Sequence, residues 1–354
     1  MSVLGQSLQI GDLSLPNRII MAPLTRSRSG SERIPNDLMR EYYEQRASAG
    51  LILTEATIID PKGAGYEDTP GIYSEQQTAG WKKITAAVHA KGGKIFSQLW
   101  HVGRVSDPFY LDGDVPVAPS AVRPTGHVSL LRPLKDYVTP RALTTLEVEE
   151  LIQKFRNAAV NAKLADFDGV ELHAANGYLV DQFLQDKTNL RTDKYGGPVE
   201  NRARFLLEIT DALIEVYGAG RVGVHLAPRM DSHDVGDSNP RELFGYVARE
   251  LGKRKIAFIF TREMQGPDFL GPYLKKEFGG VLIANQKYSK EEAEAAINRG
   301  DADAVAWGVQ FIANPDLPAR LLENLPLNAV DPNTFYSGEA KGYTDYPFFN
   351  SRPK

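Results

Sequence analysis

The stretch Gly169-Val-Glu-Leu-His-Ala-Ala-Asn-Gly-Tyr178 decides the fold and holds the densest group of candidate functional residues. Its first part predicts a strand, Gly169–Ala175, in which Glu171 and His173 share one face because successive side chains of a strand point to opposite sides. Further polar residues follow at once where this strand ends. The rest of the chain repeats the arrangement, with short β-branched runs alternating with longer segments of helical periodicity.

The alternation of strand and helix predicts the fold class. The predicted strands are Arg18–Thr25, Leu51–Ile58, Lys94–His101, Gly169–Ala175, Val222–Pro228, Ala257–Arg262, Gly280–Asn285 and Ala304–Gly308. The predicted helices are Pro35–Ala49, Glu75–Lys91, Thr144–Ala165, Glu200–Val216, Arg241–Lys253, Ser289–Asn298 and Pro315–Leu325. Eight such strands predict an α/β fold, a (β/α)8 TIM barrel with an outer ring of helices. An open doubly wound sheet would carry Gly-x-Gly-x-x-Gly after its first strand, and the sequence has no such turn there.

Two segments stand outside the repeats. Leu8–Pro16, with Gly11-Asp12 at its centre, predicts a β-hairpin that caps the N-terminal mouth of the barrel. Ser106–Ala142 is a long loop, rich in Pro and Gly, that follows the third strand and should lie over the opposite mouth. No break in composition divides the chain, so we expect one domain over residues 1–354.

Composition and charge exclude several classes of function. The chain has 354 residues, a net charge of −4 and no cysteine, which argues against nucleic-acid binding, disulfides and thiolate metal sites. The six histidines lack His-Glu-x-x-His spacing, so no metal site is expected. No signal peptide or membrane-spanning run is recognisable. We therefore expect a soluble cytoplasmic protein, a monomer or weak homodimer, whose partners are small molecules.

Barrel enzymes place their chemistry at the C-terminal ends of the strands, so the inward polar residues there are the candidates. Alternation in Val222–Pro228 points His225 inward, and in the third strand it places Gln98 beside Trp100. His173 and Asn176 carry N–H donors that can stabilise negative charge on a substrate oxygen. A phenol beside them, Tyr178, can deliver a proton.

Seven motifs extend this pattern along the chain. They are Asn17-Arg18-Ile-Ile-Met-Ala-Pro23-Leu24-Thr25-Arg26, Glu41-Tyr-Tyr-Glu-Gln-Arg-Ala-Ser-Ala-Gly50, Gln98-Leu-Trp-His-Val-Gly-Arg104, His173-Ala-Ala-Asn176-Gly-Tyr178, Asp193-Lys-Tyr-Gly-Gly197, Ile312-Ala-Asn-Pro-Asp-Leu-Pro318 and Gly342-Tyr-Thr-Asp-Tyr-Pro347. With these motifs the sequence resembles, essentially end to end, the Old Yellow Enzyme family of flavin-dependent ene-reductases. Within that family it is most similar to the xenobiotic reductase B and N-ethylmaleimide reductase types.

The resemblance implies a tightly bound, non-covalent FMN and a transient reductant, NADPH or NADH. The cofactor-binding residues that it implies are Pro23, Leu24, Thr25, Ala56, Gln98 and His225. Barrels often bind phosphate through the loops after strands seven and eight, which here contain Asn285-Gln286-Lys287-Tyr288 and Gly308-Val309, so Asn285, Gly308 and Val309 are further candidates. His173 and Asn176 would bind the electron-withdrawing oxygen of the substrate, and Tyr178 would donate the proton. The aromatic walls of the pocket would be Tyr66, Trp100 and Tyr343.

The activity implied is reduction of the C=C bond of α,β-unsaturated carbonyl or nitro compounds, with nitroaromatics and nitrate esters as further electrophilic substrates. Hydride would pass from flavin N5 in a ping-pong cycle. Two positions depart from many relatives, which carry Arg where this chain has His225 and Val309. Since Arg is permanently charged and His titrates, this predicts a stabilisation of the reduced flavin that is weaker and more dependent on pH.

Two other functions stay open at this point. One is a flavin-free barrel isomerase or lyase, for which an aldolase-type Schiff base would need an internal lysine. Lys94 stands at the start of its strand, the wrong end for that chemistry. The other is a flavin-binding protein without turnover, which would have no need of Tyr178.

Overall fold

Parallel strand pairing runs in a closed circle through the computed structural model, which describes residues 2–230 and 232–349. The strands are β1 (Leu8–Ile10), β2 (Leu13–Leu15), β3 (Ile19–Met21), β4 (Leu51–Leu53), β5 (Thr57–Ile58), β6 (Ile95–Trp100), β7 (Val117–Ala118), β8 (Arg141–Ala142), β9 (Gly169–Ala174), β10 (Val222–Leu226), β11 (Phe258–Arg262), β12 (Val281–Asn285) and β13 (Ala304–Trp307). The order β4-β3-β13-β12-β11-β10-β9-β6 is closed by a parallel pairing of β4 with β6. The predicted (β/α)8 TIM barrel is confirmed.

Helices follow the barrel strands. They are α1 (Asp37–Gln45), α2 (Glu75–Ala90), α3 (Thr145–Leu164), α4 (Leu179–Leu184), α5 (Val199–Tyr217), α6 (Pro240–Arg254), α7 (Gly271–Phe278), α8 (Lys290–Arg299), α9 (Val309–Ala313) and α10 (Leu317–Glu323). Reciprocal capping boxes begin α2, α3 and α8, where a Ser or Thr and a Gln or Glu three residues later satisfy free backbone N–H groups. No helix in the described part of the chain is long and apolar enough to cross a membrane.

Three helices were not predicted from the sequence. α4 has only six residues, too few to establish a helical period, and its polar residues Asp181 and Gln182 are buried with the rest of the helix. α9 has only five residues, and α7 begins with Gly-Pro and has only eight. The predicted strand Leu51–Ile58 is also divided, because β4 and β5 are separated by residues 54–56.

The barrel has an inner and an outer apolar core. The inner core contains Phe96, Phe258 and Phe260 and reaches the hairpin β1–β2 through Ile10 and Leu13. The hairpin therefore covers the N-terminal mouth, as predicted. The outer core packs the helices against the other face of the strands, including Val222, Val224 and Leu226 of β10. The predicted inward direction of His225 is thus confirmed.

The long loop between β6 and α3 lies over the C-terminal mouth. Its two ends are joined by the short parallel pair β7–β8. Val128, Leu131 and Tyr137 of this loop pack in one cluster with Tyr66 and Trp100. The predicted position of the loop is confirmed, and its apolar side chains form one side of the space above the barrel.

The inner core leaves no room at Gly223. A Cβ built there would lie 2.2 Å from Cζ of Phe258, whereas nothing lies within 4 Å of a Cβ at Gly266. We expect Gly223→Ala to lower the free energy of unfolding by about 1–3 kcal/mol through overpacking. Gly266→Ala, the control, should change it by less than about 0.5 kcal/mol. Urea unfolding measures both, and equal values would contradict the inward direction of Gly223.

Candidate active site

A cavity of about 550 Å³ opens at the C-terminal ends of the barrel strands. This volume falls within the range of roughly 300–1,000 Å³ that is usual for cofactor and ligand sites. The lining residues that the sequence had predicted as site residues are Pro23, Leu24, Gln98, His173, Asn176, His225, Asn285, Gly308 and Val309. Other lining residues include Phe260, Arg262, Gln286, Lys287, Gln310 and Tyr336.

Gln98 organises the polar floor of the cavity. Its amide nitrogen donates to Oε2 of Glu171 at 2.7 Å and lies 3.1 Å from Nδ1 of His225. Because that amide nitrogen can only donate, Nδ1 of His225 accepts and the imidazole proton is on Nε2. Nε2 of His225 is buried and has no partner within the protein. Gln98 and His225 therefore offer a carbonyl oxygen and an N–H group to whatever occupies the cavity.

Burial decides the charge of the three titratable groups nearest this floor. It raises the pKa of Glu171 to about 8, and it lowers the pKa of His173 to about 3. The pKa of His225 also falls well below its ordinary value, through burial and then through the nearby His173 and Arg262. Both histidines are neutral at physiological pH. Burial and the nearby charge of Arg262 both oppose protonation of His225. The predicted pH dependence of reduced-flavin stabilisation stays a prediction.

A sharp turn after β9 brings Asn176 beside His173. Asn176 and Gly177 have left-handed backbone angles, with φ of 58° and 78°, which these two residue types adopt more readily than others. Nδ1 of His233 donates to the backbone oxygen of Asn176 at 2.8 Å, and the N–H of Gly177 donates to Asp181 at 2.8 Å. These bonds hold the turn, so that the side chains of His173 and Asn176 line the same cavity.

Aromatic rings surround the phenol of Tyr178. Its oxygen lies 2.8 Å from that of Tyr66, and its ring meets those of His173 and Trp100 edge-on, each at 5.0 Å between centroids. Tyr66 in turn stacks on Trp100 at 5.5 Å. Burial among these groups raises the pKa of Tyr178 well above its ordinary value, so its phenol keeps its proton. The structure thus brings together Tyr66, Trp100, His173 and Tyr178.

Tyr343 lies in the outer core. Its ring is fully buried and stacks on Tyr42 at 4.1 Å, with the guanidinium groups of Arg26 and Arg28 over it at 4.9 and 4.5 Å. Like Tyr66, Trp100 and Tyr178, it does not line the cavity, so its role as an aromatic wall stays a prediction. Tyr336, from the same C-terminal segment, does line the cavity.

Two further cofactor-binding candidates do not line the cavity itself. Thr25 is half-buried and directly follows the lining residue Leu24. Ala56 is buried in the cluster that also contains Tyr66 and Trp100. Their contact with a cofactor stays a prediction.

Arg262 is a lining residue that the sequence reasoning missed, whereas Gln286 and Lys287 belong to the loop after the seventh strand that was considered for phosphate binding. For Arg262 a signal was present, since it alternates with Phe258 and Phe260 on the inner face of β11. Gln286 and Lys287 have φ of 108° and 56°, in the region where residues other than glycine are strained. Such strain often accompanies functional loops, but nothing in the sequence reveals it.

The residues present fit an FMN group. Buried polar atoms of the lining residues without partners include Nε2 of His225, Nδ1 of His173 and Oδ1 of Asn176. The carbonyl of Gln98 and the N–H of His225 complement the pyrimidine edge of a flavin, which has both an N–H donor and carbonyl acceptors. At the loops after β12 and β13, Lys287 and Gly308 offer a cation and a close backbone approach to a phosphate. Among the described residues no group of His, Asp or Glu is arranged to hold a metal ion.

Comparison with known proteins points to the same chemistry. A model of the NADH:flavin oxidoreductase / NADH oxidase family matches residues 4–328. The chain is 43% identical over 358 residues to a probable flavin mononucleotide-dependent alkene reductase of Leishmania infantum, covering 98% of this chain and 97% of that protein. It is 44% identical over 354 residues to 12-oxophytodienoate reductase 1 of Oryza sativa subsp. japonica, covering 96% of this chain and 91% of that protein.

Two solved structures are similar along nearly their whole length. Morphinone reductase in complex with tetrahydroNAD has a TM-score of 0.95 and 48% identity, covering 98% of both chains. The old yellow enzyme homologue from Zymomonas mobilis has a TM-score of 0.95 and 44% identity, covering 97% of this chain and 99% of that chain.

Glu171 makes the free energy of unfolding of the protein depend on pH. Its pKa of about 8 exceeds the value of about 4.3 in an unfolded chain, so the folded protein holds this proton more tightly. The stability that the proton contributes is complete below the unfolded pKa and is lost as the pH rises towards 8. Glu171→Gln carries no charge at any pH. We therefore expect the stability of Glu171→Gln relative to that of the unsubstituted protein to rise between pH 5 and pH 8, by on the order of 3 kcal/mol.

Urea unfolding at pH 5, 6.5 and 8 measures this difference. Glu32→Gln, at an exposed position, is the matched control and should show no comparable trend. A difference between Glu171→Gln and the unsubstituted protein that is the same at every pH would contradict the protonated state of Glu171.

Proposed function

The chain belongs to the NADH:flavin oxidoreductase / NADH oxidase family, the family of Old Yellow Enzyme, and from that premise we propose that it reduces the C=C bond of α,β-unsaturated carbonyl and nitro compounds. It is an FMN-dependent NAD(P)H oxidoreductase that acts on activated alkenes. The observation that carries the finer proposal is that His173 and Asn176 line one cavity, while the ring of Tyr178 meets that of His173 edge-on at 5.0 Å.

Bound FMN supplies hydride transfer, which amino-acid side chains cannot perform. The residues that would hold it are those of the cavity floor and of its phosphate-binding end. Gln98 and His225 would hold the pyrimidine edge, and Lys287 and Gly308 would hold the phosphate. Pro23 and Leu24, which lie beyond the end of β3, would flank the ring.

His173 and Asn176 would bind the oxygen of the carbonyl or nitro group. Both side chains are buried, and the low pKa of His173, about 3, keeps its ring neutral. Neutral donors in a site that excludes water stabilise the negative charge that develops on the oxygen during reaction. The alkene of a substrate held there would be polarised towards attack at the carbon distant from that oxygen.

Tyr178 would donate the proton that completes the reduction. Its raised pKa keeps the phenol protonated, and the hydrogen bond with Tyr66 fixes the direction of its oxygen. The proton goes to the carbon next to the carbonyl or nitro group, and water restores the phenol afterwards. Nitroaromatics and nitrate esters, which accept hydride without this proton, would depend less on Tyr178.

The alternatives have less support. Lys94, the lysine considered for a Schiff base, lies before β6 at the opposite end of the barrel, with its ammonium 3.6 Å from Asp168. A binding protein without turnover would not need a phenol held between Tyr66 and His173. We further propose small electrophiles as the partners, a monomer or weak homodimer as the assembly, and the cytoplasm as the location.

The first test is a visible absorption spectrum of the purified protein. We expect flavin bands that bleach on anaerobic addition of NADPH or NADH and return on addition of 2-cyclohexenone, because the two half-reactions use the same cofactor. A colourless protein that FMN cannot reconstitute would refute the proposed function.

Tyr178→Phe separates the two half-reactions. Loss of a positioned general acid costs about 10²- to 10⁴-fold, so we expect the reoxidation by 2-cyclohexenone to slow by that order. Reduction by the nicotinamide needs no proton from Tyr178 and should change less than about twofold. Anaerobic stopped-flow absorbance measures both rates. Tyr66→Phe, which removes the neighbour but leaves the phenol of Tyr178, is the control and should slow reoxidation less; equal slowing of both half-reactions in Tyr178→Phe would contradict the assignment.

A further inference from the structure

We propose that Arg262 is the cation that holds the negative charge of a reduced flavin in this cavity, a task that relatives with Arg at the position of His225 assign to a different strand. The inference rests on the proposed binding of FMN. It concerns a residue that no motif of the sequence singled out.

The position of Arg262 follows from the register of the barrel. Strands β10 and β11 pair with His225 opposite Phe260, and the rings of these two residues lie 4.3 Å apart. Arg262 is the next residue after Phe260 on the inner face of β11, one step closer to the mouth. Arg262 therefore lines the same cavity as His225, and its charge is near enough to contribute to lowering the pKa of that histidine.

Within the part of the chain that the structure describes, the guanidinium of Arg262 has no carboxylate within ion-pair distance. Its Nε donates a long hydrogen bond, 3.4 Å, to Oε1 of Gln286. The carboxylate nearest in sequence, Glu263, points to the other face and pairs with Arg229 and with the N–H of Leu270. A partly buried cation without a counter-charge is costly to hold, so the guanidinium is placed to receive an anion from the cavity.

The groups around Arg262 do not supply that anion, nor do they compete for it. Its charge contributes to lowering the pKa values of His173 and His225, which stay neutral. Tyr178 keeps its proton, since its pKa is raised. Of the two anionic parts of a bound FMN after reduction, the pyrimidine edge would lie at the corner of His225 and Gln98, beside Arg262. The phosphate would lie towards Lys287 and Gly308, in the loops after β12 and β13.

The test compares Arg262→Gln with Lys287→Gln, which removes the other cation that lines the cavity. Three quantities are measured for each FMN-loaded protein: the two-electron midpoint potential, the dissociation constant for sulfite, and the dissociation constant for FMN. We expect Arg262→Gln to shift the ratio of reduced to oxidised flavin about tenfold towards the oxidised form, which equals about 30 mV for two electrons. Sulfite, an anion that adds to the flavin, should bind at least about tenfold more weakly.

The control should behave in the opposite way. Lys287→Gln should weaken FMN binding and leave the midpoint potential and sulfite binding unchanged. Arg262→Lys, which keeps the charge, should have a midpoint potential close to that of the unsubstituted protein. The double variant Arg262→Gln/His225→Arg, which moves the cation to β10, should restore the midpoint potential of the unsubstituted protein. Recovery would show that the charge at this corner, rather than the packing of Arg262, sets the potential.

Two outcomes would overturn the proposal. One is an unchanged potential and sulfite affinity in Arg262→Gln. The other is a large loss of FMN affinity in Arg262→Gln at an unchanged potential, which would assign Arg262 to the phosphate. A protein without the substitution that takes up no FMN would instead refute the proposed function, and this inference with it. Far-ultraviolet circular dichroism checks that each variant is folded.

Discussion

The two hydrogen bonds donated by Gln98, one to Glu171 and one to His225, are the constraint on which the polar site depends. Below them the barrel is filled by apolar side chains, and buried polar groups above that layer must find partners among themselves. Because Gln98 uses both amide hydrogens in this way, it fixes the tautomer of His225 and the direction of its own carbonyl. The donor and the acceptor at the floor of the cavity are therefore set before any ligand arrives.

Burial of this hydrogen-bond network also keeps its titratable side chains neutral. Glu171 retains its proton, and His173 and His225 lose theirs, because each charged form would be poorly solvated. A site built from such groups can direct hydrogen bonds but cannot balance an anion. Fixed charge must come from residues whose side chains water still reaches. Arg262, which is half-buried and bonds to Gln286, and Lys287, which is exposed, both line the cavity.

Periodicity in the sequence predicted the eight barrel strands, the hairpin and the inward direction of His225, because each depends on neighbours within a few residues. It could not predict where Tyr343 lies. Arg26 and Arg28 bind backbone carbonyls of the C-terminal segment about 300 positions away, including those of Thr334 and Gly342, and these contacts turn the ring of Tyr343 towards the core. Arg262 was predictable from alternation on β11, but the motifs directed attention to other residues. The buried helix α4, with six residues, was too short for its periodicity to be recognised.

The hairpin β1–β2, which closes the N-terminal mouth, has a consequence for how substrates enter and leave the enzyme. With that end filled by Ile10, Leu13 and the inner phenylalanines, the cavity opens at the C-terminal ends of the strands. In the proposed ping-pong cycle the electron donor and the electron acceptor would both bind there, one after the other. An excess of either would then occupy the cavity while the flavin is in the form that cannot react with it, and the whole cycle would slow.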